Sequence, residues 1–99
     1  MARGKFDGVI EAVRYEPDGR IALVSAYERR GAVWSDRLLL RRDDLIGQLK
    51  KGKRFVTGRR KEYLGGMFVT SRPVRLAQGA VVTNGQNSNQ DLLSGVPIF

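Results

Sequence analysis

The sequence predicts a mainly β domain with one short helix, followed by a flexible C-terminal tail. Three observations predict this class. Runs of alternating or β-branched residues are separated by glycine and proline turn signals, one stretch has helical start and stop signals, and a polar, low-complexity stretch lies near the C-terminus. Because 99 residues can enclose one core, we expect a single domain at residues 1–78 and a polar tail at residues 79–99 that ends in an apolar peptide.

Five strands are expected, and turn residues separate the first two. Glu16-Pro17-Asp18-Gly19 predicts a hairpin turn, because proline presets φ at its position and glycine accepts a positive φ. Pro73 has no N–H to donate, so the end of the fifth strand should be an edge or a bulge. The strands cover about residues 5–15, 20–29, 32–42, 53–61 and 67–76.

A helix of about two turns follows the third strand. Leu45 and Leu49 are one turn apart, and Asp43 and Asp44 precede them, where carboxylates cap free amides and meet the positive end of the helix dipole. Gly52 occupies the position expected for a C-terminal cap. A helix this short is unstable alone, so it should be stabilised by plugging one open end of a barrel.

The order of three strands, a helix and two strands is that of the OB-fold, a five-stranded Greek-key barrel. We therefore predict an OB-like barrel with its helix between strands three and four. An SH3-like barrel is the main alternative, although it normally lacks a helix at this point. A pleated sheet with one helix on its face is the third.

Composition excludes several kinds of chemistry. The chain has no cysteine and no histidine, so disulfides, thiolate nucleophiles, thiolate or imidazole zinc sites and histidine-based triads are excluded. Asp43 and Asp44 are the only adjacent acidic pair, and the helix start accounts for them. We expect no enzyme, no catalytic residue, no metal site and no cofactor.

The charge is large and unevenly distributed. The formal net charge is +8, and all 18 lysines and arginines lie between Arg3 and Arg75, whereas residues 79–99 contain one charged side chain, Asp91. A basic body favours a polyanionic ligand, and single-stranded DNA or RNA is the leading hypothesis. With no signal segment and no apolar run long enough to cross a bilayer, the expected location is the cytoplasm.

In an OB barrel the customary ligand surface is the face of strands two and three with the adjoining loops. Cations there would neutralise phosphates, and aromatic side chains would stack on bases. Trp34 has the same parity as Leu38 and Leu40, so a core position is as well supported as a surface one. The predicted nucleic-acid-binding residues are Arg29, Arg30, Trp34, Arg37, Arg41, Arg59, Arg60, Lys61 and Tyr63.

The C-terminus combines a polar stretch with an apolar end. Gly85-Gln86-Asn87-Ser88-Asn89-Gln90 is followed by Asp91 and, finally, by Pro97-Ile98-Phe99. A basic barrel, a Gly/Gln/Asn-rich linker and a short apolar tip resemble the bacterial single-stranded DNA-binding protein family, whose acidic tip ends in Ile-Pro-Phe. Here the tip has one aspartate, and proline and isoleucine are interchanged. The resemblance implies that Pro97, Ile98 and Phe99 bind a protein partner.

Two alternatives stay open for the function. A protein-interaction adaptor would use the barrel and the C-terminal peptide to bind protein partners, with the positive charge attracting an acidic surface. A homo-oligomer would pack the tail of a neighbouring copy, or its own tail, on the barrel. The basic charge could also serve solubility alone, because runs of charge are usually solvated faces.

Overall fold

The computed structural model describes residues 6–30, 33–60, 68–77, 79–83, 91–93 and 95–99. These residues form a mainly β structure with one short helix, in agreement with the predicted class. The elements in chain order are β1 (Gly8–Tyr15), β2 (Ile21–Arg30), β3 (Val33–Trp34), β4 (Leu38–Arg41), α1 (Arg42–Lys50), β5 (Phe55–Arg60), β6 (Phe68–Ala77) and β7 (Ala80–Thr83).

The first four strands form an antiparallel meander. The predicted turn joins β1 to β2: Gly19 has φ of 92°, its N–H donates to the carbonyl of Glu16 at 2.9 Å, and the Asp18 carboxylate accepts from the N–H of Arg20 at 3.0 Å. The predicted third strand is divided into β3 and β4, which pair with successive parts of β2.

The second half of the sheet begins after α1. β5 pairs with β1 in parallel, and β6 and β7 follow as antiparallel neighbours. The strand order is β3-β2-β1-β5-β6-β7, with β4 also paired to β2. Within the described residues the outer strands do not pair with each other, so the sheet is not closed, and the predicted five-stranded barrel is not confirmed.

Three register shifts interrupt the strand pairing: one lies between Arg14 and Tyr15 at the end of β1, and the other two lie nearer the middle of the sheet. Glu11 is the extra residue between the Ile10 and Ala12 pairs of β1 with β2. A second register shift lies between Val56 and Gly58 of β5, next to Pro73 of β6. The sequence predicts an edge or a bulge at Pro73, and the structure has a bulge next to this residue.

The helix lies where the sequence places it and begins slightly earlier. It starts at Arg42, and the side chain of Arg41 at the N-cap makes no capping hydrogen bond. Asp43 and Asp44 lie in the first turn, near the positive end of the helix dipole, but neither is the N-cap residue. Gly52 follows the C-cap with φ of 88°, as the C-terminal signal predicts. No helix among the described residues has the length and apolar character needed to cross a bilayer.

The core lies between α1 and one face of the sheet. Leu45 of α1 is fully buried and belongs to one cluster with Ile10, Val24 and Phe55. Gly8 permits this packing, because a Cβ there would lie 2.3 Å from Cε2 of Phe55. Both residues come from the part of the sheet where β1 and β5 run in parallel, in which Gly8 is paired with Phe55.

The C-terminal region differs from the predicted flexible tail. Residues 80–83 form β7, whose four side chains are all buried. The described residues 91–93 and 95–99, here called the C-terminal segment, pack against the sheet through parallel bridges from Leu92 to Val82 and from Ile98 to Val13. Leu93 is buried, and its N–H donates to the hydroxyl of Tyr15 at 3.1 Å. The predicted linker at residues 84–90 lies outside the described residues.

Candidate functional site

The sheet formed by β1, β2 and β4 has one face packed on the core. Val13, Val24 and Leu40 lie side by side on this face, because they are paired across the three strands. The two valines are fully buried, and Leu40 packs against the core cluster. Successive residues of a strand point to opposite faces, so their neighbours project from the other face, here called the outer face.

Two arginines flank a leucine in one row of the outer face. Arg14, Leu23 and Arg41 are paired across β1, β2 and β4, and both arginine side chains are exposed. The row continues onto the C-terminal segment, where the Arg14 guanidinium lies 4.8 Å from the centre of the Phe99 ring. Arg14 Nε also donates to a main-chain oxygen of Phe99 at 3.1 Å. The row therefore consists, in order, of an aromatic ring, a cation, a leucine and a second cation, which are Phe99, Arg14, Leu23 and Arg41.

The adjacent row consists of an alanine, a serine and a leucine and is partly exposed. Ala12, Ser25 and Leu39 are paired across the same strands. Leu39 is 60% exposed. The buried hydroxyl of Ser25 has no hydrogen-bond partner among the described residues. An exposed leucine therefore lies beside the row that carries the two arginines.

A second cationic and aromatic cluster lies where β2 meets β3. Arg29 is paired with Trp34, and its guanidinium lies 5.0 Å from the centre of the indole ring. Arg29 Nε donates to the carbonyl of Phe6 at 3.1 Å, and the rings of Phe6 and Trp34 are 5.6 Å apart. Arg29 and Trp34, which are both predicted site residues, are half-buried and contact each other. Trp34 is therefore neither a core residue nor a free stacking surface.

The remaining predicted cations are distributed over two regions. Arg37, directly before β4, and Arg41, the last residue of β4, are both exposed. Arg59 is exposed on β5, which β2 and β1 separate from β4. Arg30 and Arg60 end β2 and β5, and their side chains are not described. Lys61 and Tyr63 lie outside the described residues, so the predicted loop from Arg59 to Tyr63 stays a prediction.

A cavity of about 450 Å³ separates β5 and β6 from the C-terminal segment. Glu11, at the β1 bulge, is on its wall, and its carboxylate lies 3.7 Å from the Arg37 guanidinium. Because β2 lies between β1 and β4, this ion pair spans β2. The lining residues are Glu11, Thr57, Gly58, Arg59, Thr70, Ser71, Gly95, Val96 and Pro97.

The C-terminal segment is anchored by a buried ion pair that sequence reasoning missed. The Asp91 carboxylate accepts from Arg42 Nε at 2.6 Å and Nη2 at 3.1 Å, and from the main-chain N–H groups of Ile21 at 2.8 Å and Val81 at 3.0 Å. The Asp91 side chain is 1% exposed. Arg42 Nη2 also donates to the carbonyl of Gly79 at 2.8 Å. The site connects β2, α1 and β7.

These contacts set the protonation states of the pair. Burial opposes ionisation of Asp91, but the hydrogen bonds from Arg42, Ile21 and Val81 outweigh it and lower the pKa of the carboxyl. The hydrogen bond to Asp91 raises the pKa of Arg42, which stays protonated. Donors occupy both oxygens of the carboxylate, so the arrangement is suited to stabilising the fold. The only signal in the sequence is a single aspartate at the start of an apolar segment.

Comparison of the chain with protein-family models, with curated proteins and with solved structures gives no match.

Proposed function

We propose that the chain binds single-stranded nucleic acid, DNA or RNA, on the outer face of β1, β2 and β4. The observation that supports this most is the row of Phe99, Arg14, Leu23 and Arg41, which alternates aromatic, cationic and apolar side chains across adjacent strands. Nonspecific single-strand binding uses this combination of phosphate-neutralising cations and surfaces on which bases stack.

Each side chain of the face has a role in this proposal. Arg14 and Arg41 bind phosphates on either side of Leu23, and Arg37 extends the cationic surface beyond the end of β4. Phe99 is 41% exposed, and the guanidinium of Arg14 already holds its ring in place, which lowers the entropy lost when a base stacks on it. Leu39 contacts the apolar part of a base or sugar.

The charge of the whole chain supports the same ligand. A formal net charge of +8 attracts polyanions over a distance of about 8–10 Å at physiological salt. Among the described residues, Asp91 has the most deeply buried carboxylate, and its pair with Arg42 has no net charge.

Binding of labelled oligonucleotides, followed by fluorescence anisotropy over a range of salt concentrations, tests the proposal. Arg37→Gln with Arg41→Gln should weaken binding, and the log–log salt slope should become shallower by about 0.7 for each lost phosphate contact. Lys50→Gln with Lys51→Gln removes the same charge from exposed positions at the end of α1, on the side of the sheet opposite the outer face. This control should bind more tightly than the arginine variant. Equal losses in the two variants would exclude the outer face as the site.

The alternative function is a protein-interaction adaptor, and the exposed apolar side chains of the C-terminal segment favour it. Ile98 is 72% exposed, although its neighbours are held by main-chain hydrogen bonds to Val13. Deleting the segment would also remove Asp91 and Leu93 from the interior, so Ile98→Ser is the cleaner test. An adaptor loses affinity for an acidic partner protein in this variant, whereas oligonucleotide binding on the outer face is unchanged.

A further inference from the structure

β4 forms an edge of the sheet that no described strand covers. It pairs with β2 on one side, and among the described residues neither a strand nor an isolated bridge pairs with its other side. Every second residue of such a strand directs its N–H and C=O groups away from the strand it pairs with. The sequence of β4 contains no proline, which would prevent further pairing. The edge therefore has the main-chain groups that one more strand needs.

The side chains along this edge are divided between the two faces of the sheet. Leu38 and Leu40 are half-buried, and Leu40 packs against the core cluster. On the outer face, Leu39 is 60% exposed between two exposed arginines, Arg37 and Arg41. A strand added to the edge would meet leucines on the core side and the order cation, leucine, cation on the outer face.

We propose that the free edge of β4 binds an extended acidic peptide of a partner protein, which adds to the sheet as a further strand. Side chains directly opposite each other on paired strands interact, so the peptide carries carboxylates opposite Arg37 and Arg41 and an apolar residue opposite Leu39. Apolar residues at the two positions between them face Leu38 and Leu40. The recognised sequence is one acidic residue, three apolar residues and one acidic residue. This inference does not rest on the proposed nucleic-acid function.

Both arginines have donors available for a carboxylate. Arg37 is paired with Glu11 at 3.7 Å, but its side chain is 63% exposed, and an exposed pair of this length contributes little. Among the described residues Arg41 forms no ion pair. The acidic side chains nearest along the chain, Asp36 and Asp43, lie outside the five positions that the peptide faces. They repel a peptide whose acidic residues extend further in either direction.

The two arginines also oppose a second copy of this chain as the occupant. Antiparallel pairing of two β4 strands centred on Leu39 places Arg37 of each copy opposite Arg41 of the other, and like charges directly opposite each other destabilise a sheet. Three consecutive leucines at an open edge would otherwise favour edge-to-edge association. The flanking cations therefore disfavour self-pairing and favour an acidic strand.

Fluorescence anisotropy with a labelled synthetic peptide tests the inference. The probe is Ser-Asp-Val-Val-Val-Asp-Ser with blocked ends, and the control probe has lysine in place of both aspartates. The pattern of the probe is the same in a parallel and an antiparallel strand. The chain should bind the acidic probe and bind the lysine probe at least tenfold more weakly, because both opposite-charge pairs become like-charge pairs.

Two methylated peptides distinguish strand addition from attraction between charges alone. One peptide carries N-methyl groups on both aspartates, and the other carries them on the first and third valines. Each modification removes two N–H donors and keeps the charge, but the two sets lie on opposite edges of the extended peptide. Only one edge faces β4, so one methylated peptide should lose binding and the other should keep it.

A charge reversal in the protein locates the site. Arg41→Glu should weaken binding of the acidic probe by roughly tenfold, and a probe with lysine in place of one of its two aspartates should restore the affinity. Lys50→Glu makes the same charge change in the last turn of α1, away from the edge, and should change the affinity by less than about twofold. Thermal unfolding checks that both variants are folded.

The inference is supported if one methylated peptide alone loses binding and a lysine probe restores binding to Arg41→Glu. Absence of binding to the acidic probe, equal affinities for the two methylated peptides, or equal losses in Arg41→Glu and Lys50→Glu would contradict it. A dimer of the chain with NMR contacts between two β4 strands would also contradict it, because a second copy would then cover the edge. The methylated peptides use the wild-type chain, so they decide the question even if Arg41→Glu does not fold.

Discussion

Asp91 anchors the C-terminal segment in the interior of the protein. Its buried carboxylate accepts hydrogen bonds from Arg42 and from the main chain of both β2 and β7. A buried charge of this kind is tolerated because four N–H groups donate hydrogen bonds to the two carboxylate oxygens. The cost of breaking the arrangement therefore exceeds what a surface ion pair of the same residue types would contribute.

Replacing Arg42 should destabilise the protein strongly. Arg42→Met leaves the Asp91 carboxylate buried without its cationic partner, and we expect the free energy of unfolding to fall by about 3 kcal/mol. Urea denaturation measures this change in the free energy of unfolding. The matched control is Arg20→Met, which breaks an ion pair with Asp18 in which both side chains are more than half exposed, and it should change stability by less than about 1 kcal/mol. Similar losses in the two variants would show that Asp91 is not held as described.

The same carboxylate predicts how stability depends on pH. The pKa of Asp91 is lowered in the folded state, so its contribution is fully present above the unfolded value of about 3.9 and is lost as pH falls through the folded value. Denaturation curves recorded at a series of acidic pH values should show a shallower decline in Asp91→Asn than in wild type. Parallel declines would contradict the assigned pKa shift.

At the scale of elements, the close contact between β1 and β5 depends on a glycine. Gly8→Ala would place a methyl group 2.3 Å from the Phe55 ring, which is fully buried and must move. We expect a loss of about 1–3 kcal/mol in the free energy of unfolding. Phe55→Leu should reduce that loss when the two changes are combined, because the smaller side chain vacates part of the space.

A second glycine, Gly47, provides a control in which alanine should change stability in the opposite direction. Gly47 lies within α1, and a Cβ there meets nothing within 4 Å. Gly47→Ala should therefore stabilise the protein by about 0.5–1 kcal/mol through higher helix propensity. If Gly8→Ala leaves stability unchanged or raises it as Gly47→Ala does, steric contact with Phe55 is not what Gly8 avoids.

Local signals in the sequence predict some elements correctly. The turn at Glu16-Pro17-Asp18-Gly19 and the helix around Leu45 are recognisable because their determinants are neighbours in the chain. The bulge beside Pro73 follows in the same way from the missing N–H.

Other elements depend on distant residues and are not predictable from local pattern. Residues 80–83 are all buried and show no alternation, and periodicity alone does not distinguish so short an apolar run from a buried helix segment. The parallel pairing of β1 with β5 joins residues 47 positions apart, and Asp91 meets Arg42 from 49 positions away. The predicted cations are similarly divided, because strand order, which the sequence does not reveal, separates Arg59 from Arg41.

At the scale of the whole molecule, the open sheet gives the protein two different sides. One side carries α1 and the core, and the outer face carries exposed arginines with an exposed leucine and the ring of Phe99. The C-terminal segment connects these features, since Asp91 anchors it in the interior and Phe99 extends the row of Arg14 and Arg41. The proposed binding face therefore includes the end of this segment.

The most direct test of the proposed function is an NMR titration of the full chain with a short mixed-sequence oligonucleotide. The largest amide shift changes should occur at Arg14, Arg37, Leu39, Arg41 and Phe99, with small changes at Lys50 and Lys51. Shift changes spread evenly over all lysines and arginines, or the absence of any change at low salt, would contradict binding on the outer face.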